Sequence, residues 1–256
     1  MRFLASALAV CAAALTLVAA APAAVFTPGA AGSGDPFFPN AGNGGYDVSS
    51  YDLTLDWQPA GNQLTGTAVV KAKATQNLSR FDLDLRGFTI SRLLVDGVAA
   101  TFGRDGEQEL VITPRSGITS GSAFTVTVNY SGTPTVVIDP DGSPEGWVPT
   151  DDGAFVVGEP QGSPAWYPVN DSPHDKATYR FRVTVPQGLT AMANGVLESN
   201  TTTGGKTTWI WNETDPMAPY VSTSTIGKFD LTISQIGSIP SYLAIDPQLP
   251  TGNSSA

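Results

Sequence analysis

The sequence predicts an all-β protein, an antiparallel saddle-like or sandwich domain of many short strands, and three observations carry that expectation. Apolar and polar residues alternate with a period of two in one run after another. The runs are separated by pairs rich in Gly and Asp, the chemistry of tight turns. No long stretch shows the apolar stripe of an amphipathic helix.

The pattern begins at Tyr51. Tyr51, Leu53, Leu55 and Trp57 alternate with Asp52, Thr54 and Asp56, which puts one face in a core and the other in water. Leu64 to Ala74 is rich in Thr, Val and Ala. Phe81, Leu83 and Leu85 alternate with Asp82 and Asp84, and Phe124, Val126, Val128 and Tyr130 with Thr125, Thr127 and Asn129. Tyr179, Phe181, Val183 and Val185 follow, then Thr207 to Trp211 and Phe229 to Ile233. Asp96-Gly97, Asp105-Gly106, Asp141-Gly142, Asp152-Gly153, Asn194-Gly195 and Gly204-Gly205 supply the turns. Each strand offers several large side chains worth roughly 1.5–3 kcal/mol apiece on full burial, so a core without disulfides is expected.

The ends read differently. Residues 1–24 have the form of a secretory signal peptide: Arg2, an apolar stretch from Leu4 to Val18, then small residues up to Ala24. The expected location is therefore secreted or extracellular, or in the cell envelope. Cys11 is the single cysteine and lies in this leader, so neither disulfides nor thiol chemistry is expected of the mature chain. Residues 25–45, dominated by Gly, Pro, Ala and Asn, read as a flexible lead-in. The β-domain is expected over 46–246 and a polar linker or tail over 247–256. No segment after the leader has the length and apolarity of a membrane span. The formal charge is −10 with the leader and one unit more negative without it. An acidic balance argues against nucleic acid or an anionic membrane as partner, because phosphate binding needs an excess of Lys and Arg.

The inventory of reactive side chains is short. His174 is the only histidine, which leaves a zinc site short of ligands, so no catalytic or metal-ligating residue is expected in this chain. Ser172, His174 and Asp175 have the residue types of a hydrolytic triad, but neighbours on one loop do not converge as a triad must, and no strand-elbow-helix context surrounds them. Asp139, Asp141 and Glu145 lack the full calcium-loop spacing and read as a turn. Asn77, Asn200, Asn212 and Asn253 begin glycosylation tripeptides, which matter only in a glycosylating pathway.

The informative stretch runs from Phe155 to Val185. An apolar strand breaks at Gly158, a long loop with four prolines follows, and a strand resumes at Thr178. Ordering a loop this long inside a β-domain costs entropy unless it holds something in place. Glu159, Tyr167-Pro168, Asp171, Pro173, Lys176-Ala177-Thr178 and Tyr179 match a signature in which an acid or amide precedes aromatic-Pro-x-x-Asp-x-Pro-x-x-Lys-Ala-Thr-aromatic. Met192-Ala-Asn-Gly195, Trp209-Ile-Trp211, Pro216-Met217-Ala-Pro-Tyr220 and Ile226-Gly227-Lys228-Phe229 follow at matching distances. Tyr51 to Asp56 with Leu64-Thr-Gly66 looks like a matching first hairpin. In these motifs, nearly all of Tyr46 to Asp246 resembles the N-terminal domain of M1-family zinc aminopeptidases.

The resemblance implies a saddle-shaped β-domain that docks on a thermolysin-like catalytic domain. It implies zinc in the intact enzyme, with no ligand to it from this chain. The catalytic domain is the expected docking partner and a peptide N-terminus the expected substrate. Glu159 takes the position that binds the substrate's α-amine, with Val157, Gln161, Trp166 and Tyr167 as candidate pocket wall. Departures from the family pattern concern pocket shape: Ser163-Pro-Ala-Trp166 stands where Ala-Arg-Arg is frequent, Val157 where Gln is frequent, and Ser172 where Glu is frequent. No G-x-M-E-N strand or H-E-x-x-H helix occurs, so the catalytic domain is expected to be missing and the chain alone inactive. The alternative is a free-standing secreted module that binds peptide or glycan on an exposed Trp166–Tyr167 platform.

Overall fold

The computed structural model describes residues 24–139 and 141–249. The leader up to residue 23, with Cys11, and the tail beyond Leu249 lie outside the described residues. In chain order the strands are β1 (Thr27–Pro28), β2 (Tyr46–Gln58), β3 (Gln63–Ala74), β4 (Leu78–Asp84), β5 (Thr89–Val95), β6 (Val98–Ala99) and β7 (Thr101–Asp105). Then come β8 (Glu109–Thr113), β9 (Ala123–Gly132), β10 (Val136–Ile138), β11 (Pro144–Pro149), β12 (Ala154–Val157) and β13 (Ala177–Pro186). The last are β14 (Thr190–Ala193), β15 (Val196–Thr203), β16 (Lys206–Met217), β17 (Ser224–Gly227), β18 (Asp230–Ile236) and β19 (Ile239–Ile245). The expected all-β class is what the chain adopts; among the described residues the helical content is two single 3-10 turns, Ser163–Ala165 and Pro219–Val221. Among the described residues no helix is long and apolar enough to cross a membrane.

One large sheet organises the rest, in the order β15-β16-β13-β2-β3-β9-β5-β6. Its inner face carries the alternating residues of the sequence: Tyr51, Leu53, Leu55 and Trp57 on β2, Val126, Val128 and Tyr130 on β9, Tyr179, Phe181, Val183 and Val185 on β13. They join one core with Phe81, Leu83, Leu110 and Ile112 of a four-stranded sheet (β1-β4-β8-β7) and Trp147, Val156, Ala191 and Ile226 of a five-stranded sheet (β10-β11-β12-β17-β14). Two turns are type I′ in character, with both central residues at positive φ: Asp96 (50°) with Gly97 (77°), and Gly204 (60°) with Gly205 (77°). The β18–β19 hairpin stands apart, tied down by Tyr242, whose ring meets Trp211 edge-on at 4.9 Å and whose hydroxyl accepts the Leu197 N–H at 3.0 Å.

Three expectations need correction. Pairing is not antiparallel throughout, because β13 lies parallel to β2 and β1 parallel to β4. The long connection that leads into β13 brings it back beside β2 in the same direction, which no tight turn could do. The segment 25–45 is not a loose lead-in: Thr27 N donates to Asn77 O (2.9 Å), Gly29 N to Arg80 O (2.9 Å) and Gly44 N to Ala30 O (2.8 Å), while Ala41, Gly42 and Asn43 are buried. Asp82 and Asp84, read as the wet face of β4, are both buried, and Asp84 is enclosed by Gly42 of this segment and Asp171 of the loop before β13.

Gly66 is a point of close approach. A Cβ there would sit 2.2 Å from the Tyr130 ring, whereas at Gly103 it would meet nothing within 4 Å. Gly66→Ala is therefore expected to destabilise the domain by about 1–3 kcal/mol through overpacking, and Gly103→Ala to stay within roughly 0.5 kcal/mol of the parent. Urea unfolding of the two variants checks this.

Candidate functional site

The site is built on the loop between β12 and β13, and the loop is held from below by aromatic side chains. Trp166 and Tyr167 have no exposed surface. The Trp166 ring lies parallel to Phe181 at 6.2 Å and meets Tyr167 edge-on at 4.6 Å, while Tyr51 and Tyr179 stack at 4.8 Å beside them. Tyr130 Oη donates to the Trp166 carbonyl (3.0 Å), and Tyr167 Oη and Ser222 Oγ share a hydrogen bond of 3.0 Å. Both residues plug the core. This overturns their assignment to a pocket wall and, with it, an exposed platform for peptide or glycan, since a binding platform must be reachable from water.

The far half of the loop is tied to β4 through Asp84. Backbone bonds link Asp84 N to Val169 O (2.7 Å) and Val169 N to Asp84 O (3.0 Å). The Asp84 carboxylate then accepts the Asp171 N–H (2.8 Å) and the Gly42 N–H (3.0 Å) on one oxygen, Oδ2. Burial pushes the Asp84 carboxyl up to about 7, with the N–H groups of Asp171 and Gly42 pulling the other way. Next along, Asn170 Oδ1 accepts the Asn43 N–H (2.5 Å), and Asn170 N donates to Tyr51 Oη (3.0 Å). Segment 25–45, β4 and the proline-bearing loop thus meet at one buried carboxylate.

Beside this junction lies a hollow of about 160 Å³ lined by Ser33, Asp35, Phe38 and Ala41 from the covering segment, Glu159, Pro160, Asp171 and Pro173 from the loop, and Tyr220. Glu159 is exposed at its rim and belongs to none of the ion pairs among the described residues. Gly158 brings Glu159 and Tyr220 together, since a Cβ at 158 would fall 2.3 Å from the Tyr220 carbonyl oxygen. On the other side, Gln161 N donates to Glu145 Oε2 at 3.0 Å. The remaining candidate wall residues are elsewhere: Gln161 lines a separate depression with Arg86, Glu107 and Gln108, and Val157 is half-buried and lines neither hollow.

The structure also places the residues read as chemically idle. The two Asp175 oxygens accept Val48 N–H (2.9 Å) and Asn170 Nδ2–H (2.5 Å), so this carboxylate is committed to structure and His174 stands exposed in front of it. Among the described residues no group of three or more His, Cys, Asp or Glu is arranged to hold a metal ion. With a lone exposed imidazole, the donor set does not fit zinc. Asp35, Phe38 and Asp171 were not anticipated as neighbours of Glu159. The only sequence signal for the first two is an acid followed by two aromatics, Phe37 and Phe38, inside an otherwise featureless Gly/Pro stretch.

Known proteins share this fold. The family model of the peptidase M1 N-terminal domain matches residues 48–221. No curated protein matches the chain. Among solved structures, it is similar to a mutant two-domain M1 zinc metallopeptidase bound to L-arginine, with 28% identity and a TM-score of 0.78 over 86% of this chain and 52% of that one. It is similar to the M1 zinc metallopeptidase of Deinococcus radiodurans at 27% identity and a TM-score of 0.77 over 86% of this chain and 52% of that one. A mutant from that organism bound to a Tyr-Ser-Ala substrate gives 28% identity and a TM-score of 0.76 over 85% of this chain and 52% of that one. The chain spans about half the length of the solved structures it matches.

Asp84 makes stability depend on pH with a definite sign. Its folded value, about 7, lies above the ordinary 3.8, so its favourable contribution is full below about pH 4 and is lost as pH rises through about 7. Glu109, raised by burial to about 8, acts in the same direction. The melting temperature is expected to fall between pH 5 and pH 8. Asp84→Asn, whose amide oxygen can accept the same two N–H groups without ionising, should flatten that fall, as thermal melts at both pH values will show.

Proposed function

The chain belongs to the peptidase M1 N-terminal domain family, and from that premise we propose that it is the substrate-orienting half of an exported, two-domain zinc aminopeptidase that removes N-terminal residues from peptides. Glu159 is the anchor for the free α-amine. The observation that carries this reading is the unpaired Glu159 carboxylate at the rim of a hollow whose walls are fixed by buried hydrogen bonds. A carboxylate meeting an ammonium group in a partly dried site makes a charge-assisted hydrogen bond. Such a bond selects the end of a peptide over its interior and sets the distance from the amine to the first peptide bond. Pro160 and Gly158 on either side, with Tyr220 packed against the backbone, limit how far that carboxylate can wander.

A catalytic half would bring the zinc, which when bound activates water for attack on the peptide carbonyl. Among the described residues no cluster fits the metal, and the share of the work read for this chain is binding and orientation. Export is supported by the leader-like stretch of Arg2, Leu4 to Val18 and the alanines that follow.

Two measurements test the proposal. The purified chain is expected to bind no stoichiometric zinc and to leave aminoacyl anilides intact; chelator-sensitive turnover by the chain itself would overturn the division of labour. In an NMR titration, a short peptide with a free N-terminus should shift resonances around the hollow, and its Nα-acetylated form should not. Glu159→Gln should weaken the free-amine peptide about tenfold, the loss of one charge-assisted bond. Equal shifts with both peptides would remove Glu159 from the role of anchor.

A further inference from the structure

We propose that Glu145 is a positioning residue for Glu159: its buried carboxyl group holds the turn that carries Glu159 and so sets where the amine anchor stands. The inference rests on the reading of Glu159 as the anchor and adds to it the group that fixes its place.

Glu159 lies on a turn that runs from Gly158 to Gly162 and is closed by a hydrogen bond from Gly162 N to Gly158 O of 2.8 Å. Both ends of the turn are pressed against other backbone. A Cβ at Gly158 would fall 2.3 Å from the Tyr220 carbonyl oxygen, and one at Gly162 would fall 2.6 Å from the Gly146 nitrogen. The ends have little room to shift, so the freedom that is left belongs to residues 159–161. Pro160 has no N–H, which makes the N–H of Gln161 the first backbone donor after Glu159. Glu145 Oε2 takes that N–H at 3.0 Å. The contact is shielded from water and holds the turn next to its exposed tip.

An acid at this place is costly for packing alone. Glu145 is 1% exposed and belongs to none of the ion pairs among the described residues. Its other oxygen, Oε1, is buried without a hydrogen-bond partner, and so is Oδ1 of Asp139. Val137 is the cross-strand partner of Glu145, which puts Asp139, two residues further on, on the same face of the hairpin. Two carboxyl groups brought together in this way keep one proton between them. Burial pushes the Glu145 carboxyl up to about 7, against the pull of the Gln161 N–H and of Arg86 and with a further push from Asp139. Holding that proton, Glu145 donates to Asp139 with one oxygen and accepts from Gln161 with the other. The turn under Glu159 is thereby tied to the β10–β11 hairpin, not only to its own strand.

NMR titration of the full chain with trialanine and with its Nα-acetyl form tests the proposal. Glu145→Ala is expected to weaken trialanine by about three- to tenfold, and by no more than Glu159→Gln does. Glu145→Gln should stay within about twofold of the parent, because its amide oxygen accepts the Gln161 N–H while its Nε2 donates to Asp139. The double variant Glu145→Ala with Glu159→Gln should bind like Glu159→Gln alone, since a positioning residue acts only through the group it positions. Should Glu145→Ala fail to fold, Glu145→Asp takes its place with the same expected loss, being too short to reach Gln161 while keeping the carboxyl group. Losses that multiply in the double variant, an equal loss in Glu145→Gln and Glu145→Ala, or Glu145 variants that all bind like the parent would overturn the positioning role and leave the anchor standing. Trialanine affinity unmoved by Glu159→Gln, equal binding of the acetylated form, or no binding of either peptide at millimolar concentration would overturn the anchor and the positioning role with it.

Discussion

Everything near the hollow depends on one buried carboxylate. Asp84 sits at the end of β4 with no exposed surface, and its Oδ2 takes an N–H from the covering segment at Gly42 and another from the loop at Asp171. Burying a carboxyl without partners would cost several kcal/mol. Two N–H donors offset much of that cost, and both come from backbone that would otherwise have to find water or a sheet. The arrangement is mutual: the acid needs the two loops and the loops need the acid. Breaking one side would leave an uncompensated polar group in the interior, which costs more than the net worth of the contact.

That junction is why an exposed acid such as Glu159 can have a defined place. Its loop is fastened at Gln161 by Glu145, at Ser163 by the Pro219 carbonyl (2.9 Å), at Trp166 by Tyr130 and at Val169 by Asp84. The prolines restrict the backbone between those points. Ordering costs are met by buried aromatic area and by hydrogen bonds shielded from water, so the rim residue adds little to the cost of being held. Position is thus supplied by buried groups beneath the rim.

The strands were legible because alternation is a local signal: Tyr51 to Trp57 and Tyr179 to Val185 show their buried face in the sequence itself. The loop was legible through its motif. Asp82 and Asp84 were misread for a physical reason. Alternation says which side of a strand faces away from the core, but only tertiary structure says whether a second layer covers that side. Over Asp84 that layer is Gly42 of segment 25–45 together with the loop at Asp171, and segment 25–45 is held by backbone hydrogen bonds that leave no periodic trace in the sequence. Trp166 and Tyr167 were misplaced because composition cannot tell an aromatic that plugs a core from one that faces water. The hollow itself joins residues far apart in the chain, and no pattern along the sequence links Asp35 to Asp171.

The parallel pairing of β13 with β2 has a consequence for how the molecule comes to be. Partners such as Tyr51 and Tyr179 are more than a hundred residues apart, so the seam at the middle of the large sheet closes only after a long stretch of chain has been brought home, a step whose entropy is spent before any contact repays it. Because β13 follows directly from the loop, closing that seam also brings the C-terminal end of the loop to β2, where Asp175 accepts the Val48 N–H. A chain that ends short of β13 would therefore lack both the seam and the contact that holds the end of the loop to β2.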